Sequence, residues 1–269
     1  MPELPEVETV LRTLEHRIKG QRINDVNIYW NNIIIGDPDT FKKQLIGQHF
    51  NKFIRRGKYL LFELDDIVLV SHLRMEGKYY IKQHNVDLEK HEHVVFILDD
   101  YDLKYHDTRK FGKMEIIYKQ DNYDLFKNLG VEPLSNKLNY DYCKNYLKNS
   151  KKVIKAELLN QKFIAGIGNI YADEILFRIK VLPDRMANTL NKQEINDLVY
   201  YTKHILEGAI KAGGTTIKSY TSSLGVSGLF QLELKVHTKK GQPCLNCSTI
   251  IKKKVVCKRG TYYCENCQK

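Results

Sequence analysis

Cys244-Leu245-Asn246-Cys247, a spacer of sixteen residues, then Cys264-Glu265-Asn266-Cys267: this C-terminal stretch decides how the end of the chain folds. Two CxxC knuckles at this separation suit one tetrahedral zinc ion, with two thiolates from each turn. Four protein thiolates leave no open coordination position, so the metal is expected to be structural and not catalytic. A pair of disulfides competes with this reading, and a reduced cytosolic setting disfavours it. A redox CxxC would need a thioredoxin-like βαβ context, which the flanking sequence lacks. Of the two remaining cysteines, Cys143 is expected to pack among helices. Cys257, in the spacer without a second knuckle partner, reads as structural.

The spacer Ser248 to Tyr263 contains Lys252-Lys253-Lys254 and Lys258-Arg259-Gly260-Thr261. A zinc-pinned hairpin would present these cations as one rigid edge, with Gly260 beside Arg259 marking its tip. A pinned hairpin enters a DNA groove at low ordering cost. The bland alternative is a solvated basic surface. Charge distribution favours the first: the chain carries a net +11, and residues 237–269 hold eight Lys or Arg against one acid, Glu265. An excess of this size implies a polyanionic partner.

The rest of the 269 residues has 42% hydrophobic and 28% charged content, ordinary for a globular protein. No apolar run approaches the ~18 residues needed to span a membrane. The acidic start lacks the basic region of a secretory signal, so the expected location is the cytoplasm, in association with the nucleoid. Val7, Val10, Leu11, Leu14 and Ile18 recur at helical spacing, with Gly20 placed to end the helix. Eight short candidate strands follow: 22–30, 49–55, 59–64, 68–73, 78–82, 94–98, 103–106 and 114–118. They are broken by Arg56-Gly57, Asp65-Asp66 and Asp99-Asp100, a pattern favouring an antiparallel sandwich or barrel. From about residue 121 helical periodicity takes over at 140–147, 153–159, 170–179 and 192–211. The expected architecture is therefore α+β and multidomain: a β-domain with a leading helix over 1–120, a helical domain over 121–233 and the ribbon over 234–269.

The first residues, Met1-Pro2-Glu3-Leu4-Pro5-Glu6-Val7-Glu8, admit two readings. Pro and Glu at a helix start are good capping chemistry. Alternatively, trimming of Met1 would expose the secondary amine of Pro2. An α-amine titrates at about 7.7 to 8.0, well below lysine, so a useful fraction is unprotonated near neutrality. Condensed with an aldehyde carbon, a secondary amine gives an iminium, charged without protonation and able to act as an electron sink. Glu3 is adjacent to move protons.

Seven motifs occur in one order. They are the stretch Pro2 to Glu8, Arg56-Gly57-Lys58-Tyr59-Leu60, His72-Leu73-Arg74-Met75-Glu76-Gly77, Lys90-His91-Glu92-His93-Val94, Asp107-Thr108-Arg109-Lys110-Phe111-Gly112, Gly166-Ile167-Gly168-Asn169-Ile170-Tyr171 and the ribbon. Together they closely resemble the formamidopyrimidine-DNA glycosylase family over nearly the whole chain. The resemblance implies an N-terminal β-sandwich, a helix-two-turns-helix domain, a four-cysteine zinc finger (Cys244, Cys247, Cys264 and Cys267) and a duplex DNA partner carrying oxidised bases or abasic sites. It implies Pro2 as the nucleophile at C1′, Glu3 as the acid assisting base loss, Lys58 as proton donor for β-elimination and Arg259 for δ-elimination. It implies His91, Arg109 and Lys151 as DNA-binding positions.

Base chemistry in a duplex requires extruding the nucleotide, at a cost of a few kcal/mol. Met75, Arg109 and Phe111 then resemble the residues that fill the vacated space, a wedge device known to kink DNA. Alone, Met75 or Phe111 would read as core and Arg109 as a surface cation. Asn169 after Gly-Ile-Gly reads as a capping Asn that opens a helix, and a helix start offers its N–H groups and dipole to a phosphate. Where the family often shows Pro and Arg, this chain has Thr108 and Lys110, and the loop Tyr220 to Gln231, implicated in covering the extruded base, is unusually apolar.

The leading expectation is a monomeric bifunctional glycosylase and lyase for oxidised purines. The alternatives are an endonuclease VIII-like pyrimidine glycosylase and a non-catalytic zinc-ribbon protein that binds damaged DNA. On the leading reading Arg259 and Pro2 act on one lesion, and zinc removal abolishes lesion binding although the metal performs no chemistry.

Overall fold

The computed structural model describes residues 1–121, 124–215 and 229–269. The chain forms two compact units, residues 1–127 with 213–229, and residues 128–212 with 230–269. Most of the loop Tyr220 to Gln231, and with it the part expected to cover a base, lies outside the described residues.

The first unit opens with helix α1, Leu4–Ile18, whose buried stripe is Leu4, Val7, Val10, Leu11, Leu14 and Ile18. The predicted spacing is the observed one, and Gly20, at φ +82°, stands just beyond its end. Eight antiparallel strands follow: β1 Asp25–Ile28, β2 Lys52–Arg56, β3 Tyr59–Glu63, β4 Ile67–His72, β5 Lys78–Lys82, β6 Glu92–Ile97, β7 Asp102–His106 and β8 Lys113–Tyr118. They form two four-stranded sheets, ordered β1-β6-β7-β5 and β2-β3-β4-β8. Leu60, Phe62, Ile67 and Leu69 of one sheet and Val26, Val94, Phe96, Leu103 and Tyr105 of the other share a single core with α1. The arrangement is a sandwich. Strand β4 is buried at all six positions, so both of its faces are covered. Its run Ile-Val-Leu-Val is accordingly continuous and not alternating.

One element lies where no helix was expected. Helix α2, Pro38–Leu45, is capped by the Asp37 side chain, which accepts from the Thr40 N–H, with Pro38 at its first position. Its eight residues bury only Phe41 and Leu45, too short a stripe to register as helical periodicity. The first strand is also shorter than the predicted 22–30: Arg22 bridges His49 outside it, and Asn31–Ile33 turns as a 3-10 helix beyond it.

The second unit contains α3 Tyr140–Leu147, α4 Ile154–Leu159, α5 Asn169–Arg178, α6 Lys192–Lys211 and the ribbon hairpin β9 Lys252–Val256 with β10 Arg259–Tyr263. Cys143 is buried on α3 as expected, and burial pushes its thiol up to about 12. Helix α5 is buried from Ile170 to Phe177 on nearly every face, including the acids Asp173 and Glu174.

Those acids hold the ribbon. The Lys155 ammonium donates to Asp173 Oδ1 at 2.5 Å and to Thr261 Oγ1 of β10 at 2.7 Å. Asp173 Oδ2 lies 2.8 Å from His237 Nδ1 and accepts the Tyr262 N–H at 3.2 Å. The Glu174 carboxylate accepts the N–H groups of Lys235, Val236 and His237 at 2.9 to 3.0 Å. A buried charge survives only when paired and fully hydrogen-bonded.

Both members of the Lys155–Asp173 pair are fully buried, so removing one partner strands the other. Asp173→Ala is therefore expected to cost about 3–5 kcal/mol of stability, and the combined Lys155→Met, Asp173→Leu variant to recover most of it. Chemical denaturation of the three proteins checks this. Equal loss in single and double variants would show that the pair is not what holds the ribbon.

Candidate active site and nucleic-acid interface

In the first unit, the sequence-predicted residues Pro2, Glu3 and Lys58 come together at the start of α1. Pro2 and Glu3 are buried and Glu3 is the helix N-cap. Glu6, three residues on, returns Oε2 to the Glu3 N–H at 2.8 Å, and its Oε1 accepts the Thr215 N–H at 2.9 Å and the Thr215 hydroxyl at 3.1 Å. Gly214 must be glycine there: its φ is +79° and a Cβ would meet Glu6 Oε1 at 2.9 Å. Lys58 follows Gly57 (φ +56°) in the two-residue turn between β2 and β3 and is only 6% exposed. Burial, above all, pulls the amino terminus below the ordinary α-amine value; Glu3 and Glu6 oppose this, Lys58 adds to it and Glu76 opposes it. Met1 precedes Pro2, so the Pro2 nitrogen is an amide until Met1 is removed.

His72, at the end of β4 opposite Tyr59, was not singled out in the sequence as a site residue. Burial, then the charges of Arg74 and Lys58, pull it down to about 3, so it is neutral at working pH. Its Nδ1 accepts the Arg74 N–H at 2.9 Å, which leaves its proton on Nε2. Arg74 has φ +53° and Gly77 N–H returns to Leu73 O at 3.0 Å, so residues 73–77 form a tight turn that carries half-buried Met75 and Glu76.

A second loop carries Arg109 and Phe111. The fully buried Asp107 carboxylate accepts the N–H groups of Arg109 at 3.0 Å, Phe111 at 2.9 Å and Gly112 at 2.8 Å. Phe111 remains 50% exposed, and the Arg109 guanidinium lies 4.8 Å from its ring centroid. Neither side chain serves the core. Thr108 donates its hydroxyl to Glu76 Oε2, tying this loop to the Met75 turn. His91, at φ +74°, sits beside the β6 bulge, and its carbonyl accepts the Asp107 N–H at 3.0 Å. The predicted DNA-binding positions His91 and Arg109 thus rest on one hydrogen-bonded support. Asp107, which builds it, was missed because nothing in its sequence position marks a carboxylate as a loop organiser.

In the second unit, Lys151 is exposed between α3 and α4. Asn169 opens α5, but the N-cap is Gly168. The Asn169 side chain is not a cap: its Nδ2 donates to the Gly260 carbonyl of β10 at 2.9 Å.

Cys244, Cys247, Cys264 and Cys267 place their sulfurs within 4.8 Å of one another. Cys244–Cys267 and Cys247–Cys264 are 3.8 and 3.4 Å apart, close to the ~3.8 Å edge of a tetrahedron with Zn–S bonds of about 2.3 Å. The four residues fit one structural zinc. The hairpin turn is Cys257-Lys258, both at positive φ, the two-residue geometry that matches strand twist. Gly260 is therefore not at the tip; it pairs with Val255 inside the hairpin. Cys257 is exposed in the turn and outside the sulfur cluster, so its structural reading is corrected. Arg259 is exposed at the first position of β10, next to the turn.

Among the described residues no helix is long and apolar enough to cross a membrane. Residues 1–114 match the family described as formamidopyrimidine-DNA glycosylase N-terminal domain, residues 129–221 its H2TH domain, and residues 241–269 a zinc finger found in FPG and IleRS. The formamidopyrimidine-DNA glycosylase of Bacillus subtilis is 45% identical over 273 residues, covering 100% of this chain and 99% of that protein. That of Bacillus licheniformis is 44% identical over 274 residues, covering both fully. Solved structures include Lactococcus lactis Fpg with abasic-site DNA (TM-score 0.94, 42% identity, 99% of each chain) and with oxidised-pyrimidine DNA (TM-score 0.94, 41%, 99% of each chain). A further one is a variant of that enzyme with Fapy-dG DNA (TM-score 0.95, 41%, 99% of each chain).

Since metal binding is folding free energy in a ribbon of this size, zinc removal is expected to unfold residues 241–269 selectively. Hydrogen exchange should show protection lost in β9 and β10 while β3 and β4 keep theirs. Unchanged protection in the ribbon of metal-free protein would contradict the zinc assignment.

Proposed function

The chain belongs to the formamidopyrimidine-DNA glycosylase family, and from that premise we propose that it excises oxidised purines from duplex DNA and then cleaves the strand at the resulting abasic site. The observation that carries the reading is the gathering of Pro2, Glu3 and Lys58 at one buried chain start, where burial lowers the basicity of the Met1 amine that precedes Pro2. Three functional domains, 1–120, 121–233 and 234–269, are part of the proposal, supported by family matches over 1–114, 129–221 and 241–269.

Removal of Met1 makes the Pro2 nitrogen a secondary amine. Its lone pair attacks C1′ of the extruded nucleotide as the glycosidic bond breaks, and the base leaves with a proton. Glu3 assists base loss and the opening of the sugar ring. The ring-opened sugar is then an iminium on Pro2, which acidifies C2′–H; loss of that proton expels the 3′ phosphate. Lys58 is the proton donor for this β-elimination and Arg259 for the δ-elimination that releases the 5′ phosphate. His91, Arg109, Lys151 and the start of α5 at Asn169 bind phosphates, while Met75, Arg109 and Phe111 fill the space the nucleotide leaves. One monomer suffices, and a net charge of +11 supports residence on the nucleoid.

A second reading, pyrimidine excision, draws on the relative solved with oxidised-pyrimidine DNA. Side-by-side excision of 8-oxoguanine and thymine glycol separates the two; selective thymine glycol removal would replace the purine assignment. Borohydride reduction during turnover is expected to trap a covalent protein–DNA adduct that Pro2→Gly loses while retaining most of its DNA affinity. A wild-type protein lacking Met1 that gives no adduct would refute the lyase step and favour a binding protein without chemistry.

A further inference from the structure

Lys110 is held in a way no solvated lysine needs to be. Its backbone has φ +57°, a left-handed conformation that is strained for a non-glycine residue. The Asp107 carboxylate enforces it by gripping the N–H groups on either side, at Arg109 and Phe111. The Lys110 side chain parts company with those neighbours. Arg109 stacks on Phe111, whereas the Lys110 ammonium sits 3.8 Å from the ring centroid of Trp30.

Trp30 is fixed in turn. The segment after it is bound to β8, with the Ile35 N–H on Met114 O at 2.8 Å and the Lys113 ammonium on Asn32 O. A ring face orients an ammonium without neutralising it. Lys110 is exposed, and among the described residues no carboxylate pairs with it. An oriented cation with donors to spare, one residue from each of two exposed side chains, fits an anion lying along the same ligand as they do.

Resting on the reading that Arg109 and Phe111 enter the duplex, we propose that the Lys110–Trp30 pair is a further DNA-binding element that grips a backbone phosphodiester flanking the wedge. The loop's connections favour the undamaged strand. Thr108 joins the loop to Glu76, which acts on the amino terminus, whereas Lys110 joins it to the segment containing Trp30. Arg109 lies between these two connections in sequence, so the pair belongs to the side away from the attacked sugar.

The test is equilibrium binding to a duplex holding an uncleavable abasic-site analogue, over a range of salt, for wild type, Lys110→Gln, Trp30→Leu and the double variant. Lys110→Gln should weaken binding roughly 3- to 10-fold near 0.1 M salt and reduce the slope of log K against log salt by about one. Trp30→Leu should weaken it about 2- to 5-fold with the slope unchanged, and the double variant should be no worse than Lys110→Gln. A neutral methylphosphonate at one undamaged-strand position should erase the difference between wild type and Lys110→Gln. Erasure only on the damaged strand would overturn the strand assignment. A wild-type slope and affinity in Lys110→Gln, with thermal melting showing it folded, would overturn the site. If Trp30→Leu does not fold, Lys110→Gln and the methylphosphonate series decide alone. Because no chemistry is read, failure of the lyase mechanism leaves this test intact.

Discussion

The carboxylate of Glu6 sets the terms for the first unit. It is buried, and it is tolerated there because three donors meet it: the N–H of Glu3 and the N–H and hydroxyl of Thr215. That arrangement draws the first turn of α1 into the protein, so that Pro2 and Glu3 are buried instead of fraying as chain ends usually do. The same burial lowers the basicity of the terminal amine. The helix start thereby holds Pro2 and Glu3 inside the protein, where the charge of Lys58 acts both on the terminal amine and on a neutral His72. Asp107 does comparable work for the loop proposed as the wedge, holding three N–H groups with one buried carboxylate so that Arg109 and Phe111 can remain outside the core.

The second unit solves a different problem. A ribbon of about thirty residues has too little core of its own, and metal supplies the missing stability. Zinc alone would leave the hairpin free to pivot on its neighbours. Asp173 and Glu174 remove that freedom, joining Lys155, Thr261, Tyr262 and the 235–237 backbone in one buried polar network, with Asn169 reaching Gly260. Arg259, the neighbour of Gly260, inherits a fixed position from a metal and a helix that perform no chemistry.

Much of this was legible in the residues. The α1 stripe, all eight strands of the sandwich, the bounds of α3 and α6 and the four ligands follow from periodicity and spacing, because burial on one face leaves a periodic record. What stayed hidden has no periodic signature. Helix α2 is announced only by Asp37-Pro38, a cap signal too brief to stand out. The hairpin turn fell two residues earlier than glycine suggested, because Cys257 and Lys258 themselves adopt positive φ while Gly260 pairs with Val255 inside the hairpin. Asn169 looked like a cap and proved to be a tie to β10, a contact 91 residues away in sequence. The roles of Asp107, Asp173 and His72 depend on what tertiary structure brings to them. The proposed catalytic set was recognisable by resemblance, whereas the reason the amine is confined became visible only through Glu6 and Thr215.

That confinement is the central claim, and locating the trapped bond tests it most directly. After reduction of the complex with an abasic-site duplex, proteolysis and peptide mass mapping should place the sugar remnant on the nitrogen of Pro2 in a chain that begins at Pro2. A remnant on the side chain of Lys58, or on an amino terminus still carrying Met1, would contradict the account.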